Sequence, residues 1–327
     1  MTTYAPVPYD PELERGLAEF LSAVEQVPLR ADTIQTNRMI FENLVPGMDE
    51  IVAGRPVDWE DRVVPGWNGA PAVTVTVVRA NAAAKPAPAP AGVYHIHGGG
   101  MMLGNRLFGI ETLIDMALEY GIVGLSVEYR LAPEAPHPAP VEDCYAGLVW
   151  MSSHASELGF DPKRLLVLGA SAGGGLSAGV CLMARDLGGP EIRGQVLIAP
   201  MIDDRNDTIS SRQYDGIGAW DRNNNDTGWN ALLGDERGRS TVSPYAAPAR
   251  ADDLSGLPPA FVEVGAAEVF RDEAIDYASR IWATGGQAEL HVWNGGFHGF
   301  SGVAPKASVS RAAVAAQRAW IERTLQL

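Results

Sequence analysis

RLLVLGASAGGGLSAG, residues 164–179, joins an apolar run to a glycine-rich segment, with Ser171 between them. The apolar run predicts a buried strand, and the segment after it predicts a helix over 172–187. When Gly-x-Ser-x-Gly lies between a strand and a helix, its glycines permit a sharp turn that lifts the serine hydroxyl above the sheet edge. The free N–H groups and the dipole of the new helix lie beside that hydroxyl. Ser171 is therefore the candidate nucleophile.

Two other interpretations of this turn are weaker. The first is a glycine-rich packing turn without chemistry, which the strand before Ser171 and the helix after it disfavour. The second is a loop that cradles a nucleotide phosphate. Such a loop needs a lysine, and GASAGGG, residues 169–175, has none in the phosphate-binding position.

The alternation of strand and helix extends to both sides of the turn. Such alternation needs crossover connections and predicts a doubly wound α/β domain with a mostly parallel sheet. Because the strand segments are continuously apolar, we expect helices on both faces of the sheet. The predicted strands are 72–80, 92–97, 121–129, 164–169, 194–200, 258–265 and 288–293, and the predicted helices are 106–120, 140–158, 172–187, 271–284 and 306–325.

Two stretches fall outside this alternation. Residues 10–45 have apolar residues at intervals of three and four, which predicts helix before any strand. Residues 203–240 are polar and rich in Asn and Asp, which predicts an insertion with one or two short helices. The Pro/Ala-rich segment 81–92 is expected to be a surface connection. The predicted organisation is N-terminal cap helices in 1–55, a catalytic core in 56–202 and 241–327, and a cap insertion in 203–240.

HIHGGGMMLG, residues 95–104, begins in the predicted strand 92–97 and admits three interpretations: a pair of metal-binding histidines, a phosphate loop or a backbone anion hole. His95 and His97 share one face of a strand, as a metal pair would require. No further cluster of metal-binding residues accompanies the two histidines in the sequence, so we expect no metal site.

The anion-hole interpretation fits a serine nucleophile. Acyl transfer needs backbone N–H donors aimed at the oxygen of the tetrahedral intermediate, and glycines leave room for the acyl group. We assign this role to the N–H groups of Gly98, Gly99 and Ala172. The imidazole of His97 is expected to stiffen the loop by hydrogen bonding. A bulky residue at either glycine is expected to cost turnover more than stability.

The general base should be a histidine on a loop that follows the serine in the chain. Of the six histidines, His291 and His298 lie late enough. His291 is inside a predicted strand, which commits its side chain to one face of the sheet. His298 lies in the glycine-rich loop WNGGFHGF, residues 293–300, and is free to reach over the sheet edge. His298 is therefore the candidate base.

The acid that orients the base should follow a strand between the serine and the histidine. Glu268 is the first acid after the strand 258–265. Asp272 and Glu273 fall at the start of a predicted helix, where acids also stabilise the helix dipole. We choose Glu268, with Asp272 as the second candidate, and interpret Glu263, inside the strand, as structural or salt-bridged.

Bulk properties exclude several classes of function. Hydrophobic residues make up 46% of the 327 residues, enough for a sizeable core. The formal net charge of −15 disfavours nucleic acid and anionic membrane surfaces as partners. Two cysteines without metal-like spacing suit a reducing cytoplasm. We expect neither a secretory signal nor a membrane span, because no apolar stretch is long enough.

Five motifs occur together in this chain. They are HGGG (97–100), VEYRLAPE (127–134), GASAGG (169–174), RDE (271–273) and FHGF (297–300). From about residue 70 to the end, the chain resembles the hormone-sensitive-lipase-like branch of the α/β-hydrolase carboxylesterases. The resemblance implies an α/β-hydrolase fold, with a mostly parallel central sheet flanked by helices and a helical cap. It implies that Ser171 is the nucleophile, that His298 is the base, and that Gly98, Gly99 and Ala172 are the oxyanion donors.

The chain departs from that family at two positions. Ala170 precedes the serine, where the family usually has Asp or Thr, and Glu268 stands where Asp is usual. The second departure bears on the acid, because the extra methylene of glutamate demands a shifted backbone. The resemblance also implies that Tyr129–Glu134 brace the loop that carries Gly98 and Gly99, the oxyanion loop.

The predicted function is hydrolysis of short-to-medium acyl esters through an acyl-enzyme, without a metal or organic cofactor. An acyltransferase or an amidase or lactamase-like enzyme on the same site is the alternative. A ligand-binding descendant is disfavoured because His298 is retained. The expected partner is a small-molecule ester, and the resemblance implies a homodimer. Trp220 and Trp229 are candidates for lining the substrate pocket, with ordinary packing as the other interpretation.

Overall fold

The computed structural model describes residues 4–81 and 90–327. Within these ranges eight strands form one sheet. The strands are β1 (Val57–Val64), β2 (Val73–Ala80), β3 (Gly92–Ile96), β4 (Val123–Glu128), β5 (Leu165–Ala170), β6 (Gly194–Ile198), β7 (Ala260–Gly265) and β8 (Ala288–Trp293). Their order across the sheet is β1-β2-β4-β3-β5-β6-β7-β8. Residues 82–89 of the predicted surface connection lie outside the described residues.

From β4 to the β8 edge every neighbouring pair of strands is parallel. The inner strands of this part are buried on both faces; Val93, Tyr94 and Ile96 of β3, for example, have no exposed surface. Continuous apolar strands of this kind occur where helices cover both faces of a parallel sheet. The predicted α/β class with a mostly parallel sheet is confirmed.

Helices pack on both sides of this sheet. They are α1 (Pro11–Ala23), α2 (Ile34–Glu42), α3 (Met48–Ile51), α4 (Glu111–Tyr120), α5 (Ala139–Ser153), α6 (Ala155–Leu158), α7 (Ala172–Leu187), α8 (Ile209–Gln213), α9 (Arg222–Leu233), α10 (Arg271–Ala283), α11 (Phe300–Val303) and α12 (Ser308–Leu325). Apolar side chains of α4 and α12 form a core cluster on one face of the sheet. Those of α5, α7 and α10 belong to the larger cluster on the other face.

The strand β1 is absent from the sequence prediction, which began the sheet at residue 72. It pairs antiparallel with β2, and β2 pairs antiparallel with β4, so this end of the sheet is not parallel. The sequence VDWEDRVV has charged residues on both faces and no apolar run, because β1 is an edge strand. Ion pairs such as Arg62 with Glu60 and Glu157 replace the apolar packing that marks an inner strand.

The helical prediction for 10–45 covers two helices, α1 and α2. Between α1 and α2 the chain leaves the helical conformation around Pro28. The predicted helix at 106–120 begins only at Glu111, because the preceding residues form turns with Gly109 at φ 80°. The helix predicted at 140–158 is divided into α5 and α6 at His154.

Candidate active site

Four loops that follow parallel strands meet at one edge of the sheet. They are the loop 97–104 after β3, the turn at Ser171 after β5, the loop with Glu268 after β7 and the loop with His298 after β8. Because parallel strands all end at the same edge, residues far apart in sequence come together there. This edge holds the candidate site.

Ser171 has a positive φ, with φ 58° and ψ −122°. A non-glycine residue adopts such a conformation only when its surroundings hold it. The N–H of Ser171 donates to the Ile198 carbonyl at 2.8 Å, and its own carbonyl accepts from the N–H of Met201 at 2.9 Å. Both bonds join the serine to the end of β6, so the turn is fixed by the neighbouring strand.

The flanking glycines allow this turn to pack tightly. A Cβ on Gly169 would lie 2.2 Å from the Gly173 carbonyl oxygen, and a Cβ on Gly173 would lie 2.0 Å from the Ile96 carbonyl oxygen. Both distances are shorter than any real carbon–oxygen contact. The two positions therefore require glycine for close approach of backbones, as the Gly-x-Ser-x-Gly pattern predicts.

The structure brings three of the predicted side chains into one hydrogen-bonded chain. His298 Nε2 lies 3.0 Å from Ser171 Oγ, and His298 Nδ1 lies 2.6 Å from Glu268 Oε2. The Glu268 side chain is 1% exposed, and that of His298 is 12% exposed. The second oxygen of Glu268 accepts the N–H of Gly265 at 2.8 Å, which orients the carboxylate. The longer side chain of glutamate thus reaches the imidazole from its position after β7.

Asp272 is not brought to the histidine. Its carboxylate accepts from the N–H of Ser210 at 2.7 Å and pairs with Arg271 at 2.8 Å, which ties α10 to α8. Glu273 is buried and accepts the N–H groups of Ile202 and Asp203. Both acids act on neighbouring backbone rather than on the imidazole.

The predicted oxyanion donors lie in the loop after β3 and at the start of α7. Within the described ranges, the N–H groups of Gly98, Gly99 and Ala172 have no hydrogen-bond acceptor. Gly98 lies against the serine, since a Cβ on it would be 3.4 Å from Ser171 Cβ. Free N–H groups beside a serine hydroxyl form a site for a developing negative charge.

Gly99 differs from Gly98 in what it requires. Its φ is 111°, and a Cβ on it would lie 2.2 Å from the Leu103 carbonyl oxygen. A side chain at Gly99 would therefore strain the backbone and the loop together. For Gly98, we expect a bulkier residue to lower turnover more than stability. At Gly99, we expect such a residue to lower both.

His97 lies under this loop rather than in the site. Its Nδ1 is 2.8 Å from the Gly98 carbonyl oxygen, and its ring stacks on Tyr129 with centroids 4.1 Å apart. Tyr129 in turn donates its hydroxyl to the His97 carbonyl at 3.0 Å. Burial lowers the pKa of His97 to about 4, so the imidazole is neutral near pH 7. These contacts fit the predicted stiffening role.

His95 and His97 do not form part of a metal-ligand cluster. In the described part of the chain, no group of three or more His, Cys, Asp or Glu side chains is arranged to hold a metal ion. His95 Nδ1 instead lies 3.0 Å from the Ser126 hydroxyl, and burial lowers the pKa of His95 to about 3. Each imidazole has a local partner of its own.

A cavity of about 1030 Å³ opens at Ser171 and His298. Residues 20–44 supply a mostly apolar part of its wall, and residues 216–230 supply a mostly polar part. The segments that the sequence places in the two caps therefore supply most of the space around the serine. A volume near 1000 Å³ is at the large end of small-molecule sites.

The two candidate tryptophans have different positions. Trp220 lines the cavity, and its ring centroid is 6.4 Å from that of His298. Trp229 has no exposed surface and packs in the main core, away from the cavity lining. The structure thus corrects the expectation for Trp229, because its position on α9 directs the indole into the core.

Sequence patterns do not indicate one residue that contacts the oxyanion loop, and for Glu263 the structure favours the structural one of the two predicted roles. Arg38 of α2 bonds to the loop across 64 positions of sequence, and no local pattern indicates such a contact. Glu263, predicted to be structural or salt-bridged, accepts the Trp293 indole N–H at 2.9 Å instead of pairing with a cation. Burial raises the pKa of Glu263 to about 7.

A serine on a strand–turn–helix elbow, joined to a histidine and a buried acid above a parallel sheet, defines the class of serine hydrolases built on an α/β sheet. A family model for the alpha/beta hydrolase fold matches residues 93–302. The chain belongs to the alpha/beta-hydrolase family.

Named relatives identify the branch of that family. The esterase LipI of Mycobacterium tuberculosis is 34% identical over 227 residues, which are 66% of this chain and 68% of LipI. The mouse hormone-sensitive lipase is 38% identical over 96 residues, 29% of this chain and 13% of that protein. Among solved structures, a bacterial heroin esterase is 37% identical, with a TM-score of 0.87 over 97% of this chain and 98% of that one. The predicted resemblance to hormone-sensitive-lipase-like carboxylesterases is confirmed, and the chain is a carboxylic ester hydrolase.

No helix in the described ranges has the length and apolar character needed to cross a membrane.

Proposed function

We propose that this enzyme hydrolyses small-molecule carboxylic esters through an acyl-enzyme on Ser171. The observation that carries the proposal is the continuous chain from Ser171 Oγ through His298 to Glu268, with distances of 3.0 and 2.6 Å. Its donor–acceptor geometry allows the imidazole to accept the serine proton at Nε2 while Nδ1–H donates to the carboxylate.

Acylation begins when Ser171 Oγ attacks the ester carbonyl and His298 Nε2 takes the hydroxyl proton. The carbonyl oxygen becomes an oxyanion, and the N–H groups of Gly98, Gly99 and Ala172 stabilise its charge. Collapse of the tetrahedral intermediate breaks the bond to the alcohol, which leaves with the proton from His298. Glu268 holds the imidazole tautomer and stabilises the imidazolium throughout.

Deacylation repeats these steps with water as the nucleophile. His298 accepts a proton from water, and the resulting intermediate releases the carboxylic acid and restores the Ser171 hydroxyl. The low exposure of Glu268 and His298 supports this role, because a buried carboxylate stabilises the imidazolium more strongly than an exposed one.

The cavity supports short-to-medium acyl esters as the substrate class. Its apolar wall from residues 20–44 suits a hydrocarbon part, and Trp220 offers an aromatic surface beside His298. The polar wall from residues 216–230 suits a part of the substrate that forms hydrogen bonds. The described relatives named as esterases fit this class.

Transfer to an alcohol or amine acceptor, or hydrolysis of amides or lactams, uses the same three side chains. No contact in the described residues favours these over hydrolysis, and a ligand-binding descendant would not need the hydrogen bond from His298 to Ser171. The homodimer and the cytoplasmic location stay predictions from resemblance and composition.

The test is a panel of aryl esters of increasing acyl length, assayed with the wild type and Ser171→Ala. We expect kcat to fall by at least about 10⁴-fold in the variant, because removal of a triad nucleophile leaves only the oxyanion hole and binding. Turnover of the alanine variant at the wild-type rate would show that Ser171 is not the nucleophile.

The acid is tested by comparing Glu268→Ala with Asp272→Ala. We expect the first to lower kcat by about 10³- to 10⁴-fold, since the imidazole loses its orienting partner. The second should lower thermal stability, because Ser210 and Arg271 lose an acceptor, with kcat within about threefold of the wild type. A larger loss of kcat in Asp272→Ala would reverse the assignment.

A further inference from the structure

One guanidinium joins the N-terminal helix α2 to the loop that carries the oxyanion donors. Arg38 Nε donates to the Met102 carbonyl at 2.7 Å, and Arg38 Nη2 donates to the Ala132 carbonyl at 2.7 Å. Both terminal nitrogens also donate to the Glu134 carboxylate, at 2.9 and 2.7 Å. The Arg38 side chain is 16% exposed. A planar, forked donor of this kind fixes geometry better than a point charge does.

The two carbonyls that accept these hydrogen bonds lie in different segments. Met102 belongs to the oxyanion loop, and Ala132 belongs to the segment 129–134 that packs beside it. Met102 is three residues after Gly99, whose carbonyl accepts the N–H of Met102 at 3.1 Å. The segment with Ala132 is joined to the loop independently, through the Ala132 N–H on the Met101 carbonyl at 2.9 Å. Arg38 therefore closes a small network around the turn that holds the predicted donors.

The same helix also forms part of the cavity wall. Asn37, Ile40 and Phe41 of α2 line the cavity that opens at the serine. Ile34, at the start of α2, packs in a small core cluster with Met102 and Leu103 of the oxyanion loop. A substrate in the cavity would therefore contact α2. The same helix holds the oxyanion loop by the apolar contacts of Ile34 and by the hydrogen bond of Arg38.

We propose that Arg38 is a positioning residue that couples occupancy of the substrate cavity to the alignment of the oxyanion donors. This inference rests on the proposed ester hydrolysis at the same site. Substrate that packs against α2 holds the helix in place, and the guanidinium transmits that position to the backbone at Met102. Arg38 touches neither the ester nor the reacting atoms, so its effect is on the alignment of the N–H groups of Gly98 and Gly99.

The effect should therefore concentrate in the transition state. Loss of a single oxyanion donor costs about 10²- to 10³-fold in kcat, and a misaligned donor costs less. We expect Arg38→Met to lower kcat by about 10-fold with KM within about twofold, because the acyl and alcohol parts still find the same walls.

The experiment pairs this variant with a matched control. Arg185 also donates to two backbone carbonyls, of Asp253 and Ser255, and pairs with Asp186, yet it lies on α7 away from the site. Arg38→Met and Arg185→Met are compared for melting temperature, for kcat and KM on one aryl ester, and for inhibition by an aryl trifluoromethyl ketone. This ketone adds to the serine and places a negative oxygen in the oxyanion hole.

We expect the melting temperatures of both variants to fall by similar amounts. Only Arg38→Met should have a lower kcat and bind the trifluoromethyl ketone about 10-fold more weakly than the wild type. Unchanged ketone affinity in Arg38→Met, or equal losses of kcat in both variants, would overturn the proposal. If Arg38→Met does not fold, Glu134→Gln, which removes the ionic partner, should weaken ketone binding and kcat by the same factor of about threefold. Unchanged values there would also overturn it. Failure of ester hydrolysis itself is separate, because the wild type would then show no turnover and no inhibition.

Discussion

The two glycine-rich turns of the site are built in different ways. The serine turn is held largely by backbone: Gly169 and Gly173 lie against carbonyl oxygens, and Ser171 is bonded to the end of β6. The loop 97–104 has backbone hydrogen bonds of its own and also accepts hydrogen bonds from side chains of distant segments, Arg38 and Tyr129. A substitution that disrupts the serine turn should therefore disrupt its fold, whereas loss of one contact to the loop 97–104 should shift that loop by a small amount.

This difference separates stability from alignment. A side chain added inside the serine turn meets main chain, which cannot move without disturbing the sheet. Loss of a side chain around the oxyanion loop removes one of several contacts and leaves the fold in place. A side chain added at Gly169 or Gly173 should therefore appear as loss of folded protein. A small substitution at Gly98, or loss of a side chain that contacts the loop 97–104, should appear as loss of kcat in folded protein.

The largest contrast is expected between Gly173→Ala and Gly98→Ala. The first places a methyl group 2.0 Å from the Ile96 carbonyl oxygen, so we expect a loss of at least about 3 kcal/mol in the free energy of unfolding. The second meets the Ala170 carbonyl oxygen at 3.0 Å, which a small shift can relieve. Urea unfolding followed by circular dichroism measures both variants.

Activity completes that comparison. Gly98→Ala should keep most of the stability and lose about 10- to 100-fold in kcat, because its methyl group stands beside the serine where the acyl group must approach. If Gly98→Ala instead unfolds as readily as Gly173→Ala, the distinction between the two turns is wrong.

The next contrast concerns pH. Burial raises the pKa of Glu263, on β7, to about 7, whereas burial lowers the pKa of His97 to about 4. A carboxyl with a raised folded pKa stabilises the protein below its unfolded pKa, and this stability is lost as pH rises toward 7. Glu263→Gln removes the titration. Its free energy of unfolding relative to the wild type should therefore rise by about 2 kcal/mol between pH 5 and pH 8.

Glu273→Gln tests the same effect at a second buried acid. Burial raises the pKa of Glu273 well above the usual value. The unfolded chain therefore releases a proton that the folded chain holds, and the free energy of unfolding of Glu273→Gln relative to the wild type should also rise between pH 5 and pH 8. A constant difference for Glu263→Gln would mean that folding does not raise the pKa of Glu263.

The smallest contrast comes from two buried tyrosines. Tyr129 donates to the His97 carbonyl on the oxyanion loop, and Tyr94 donates to the Cys144 carbonyl inside the core at 2.7 Å. Tyr129→Phe and Tyr94→Phe should each cost about 1 kcal/mol of unfolding free energy. Only the first should also lower kcat, by about two- to fivefold. Equal kcat in the two variants would argue against a bracing role for Tyr129.

The comparison also explains what the sequence could predict. The serine turn depends on neighbours in sequence, so the pattern around Ser171 is enough to predict strand, turn and helix. Glu268 is the first acid after a strand, and its contact with His298 follows from that position. Local rules suffice where the chain itself supplies the geometry.

The remaining features depend on contacts over long separations. The strand β1 has the charges of a solvent-exposed edge, and its pairing with β2 cannot be read from its own composition. The position of Trp229 in a polar insertion suggests a place in the pocket, yet its position on α9 directs the side chain into the core. Arg38 gave no signal, since its partners lie in segments more than 60 positions away.

The two walls of the cavity contact the loop 97–104 in different ways. Residues 216–230 contact it through the ring of Trp220, which packs with Met102 and Leu103, whereas α2 also donates a hydrogen bond to it from Arg38. For an enzyme engineer, each wall therefore has one position to keep. Libraries in 216–230 should fix Trp220 and vary the polar residues that line the cavity, and libraries around α2 should fix Arg38 and vary Ile40 and Leu44.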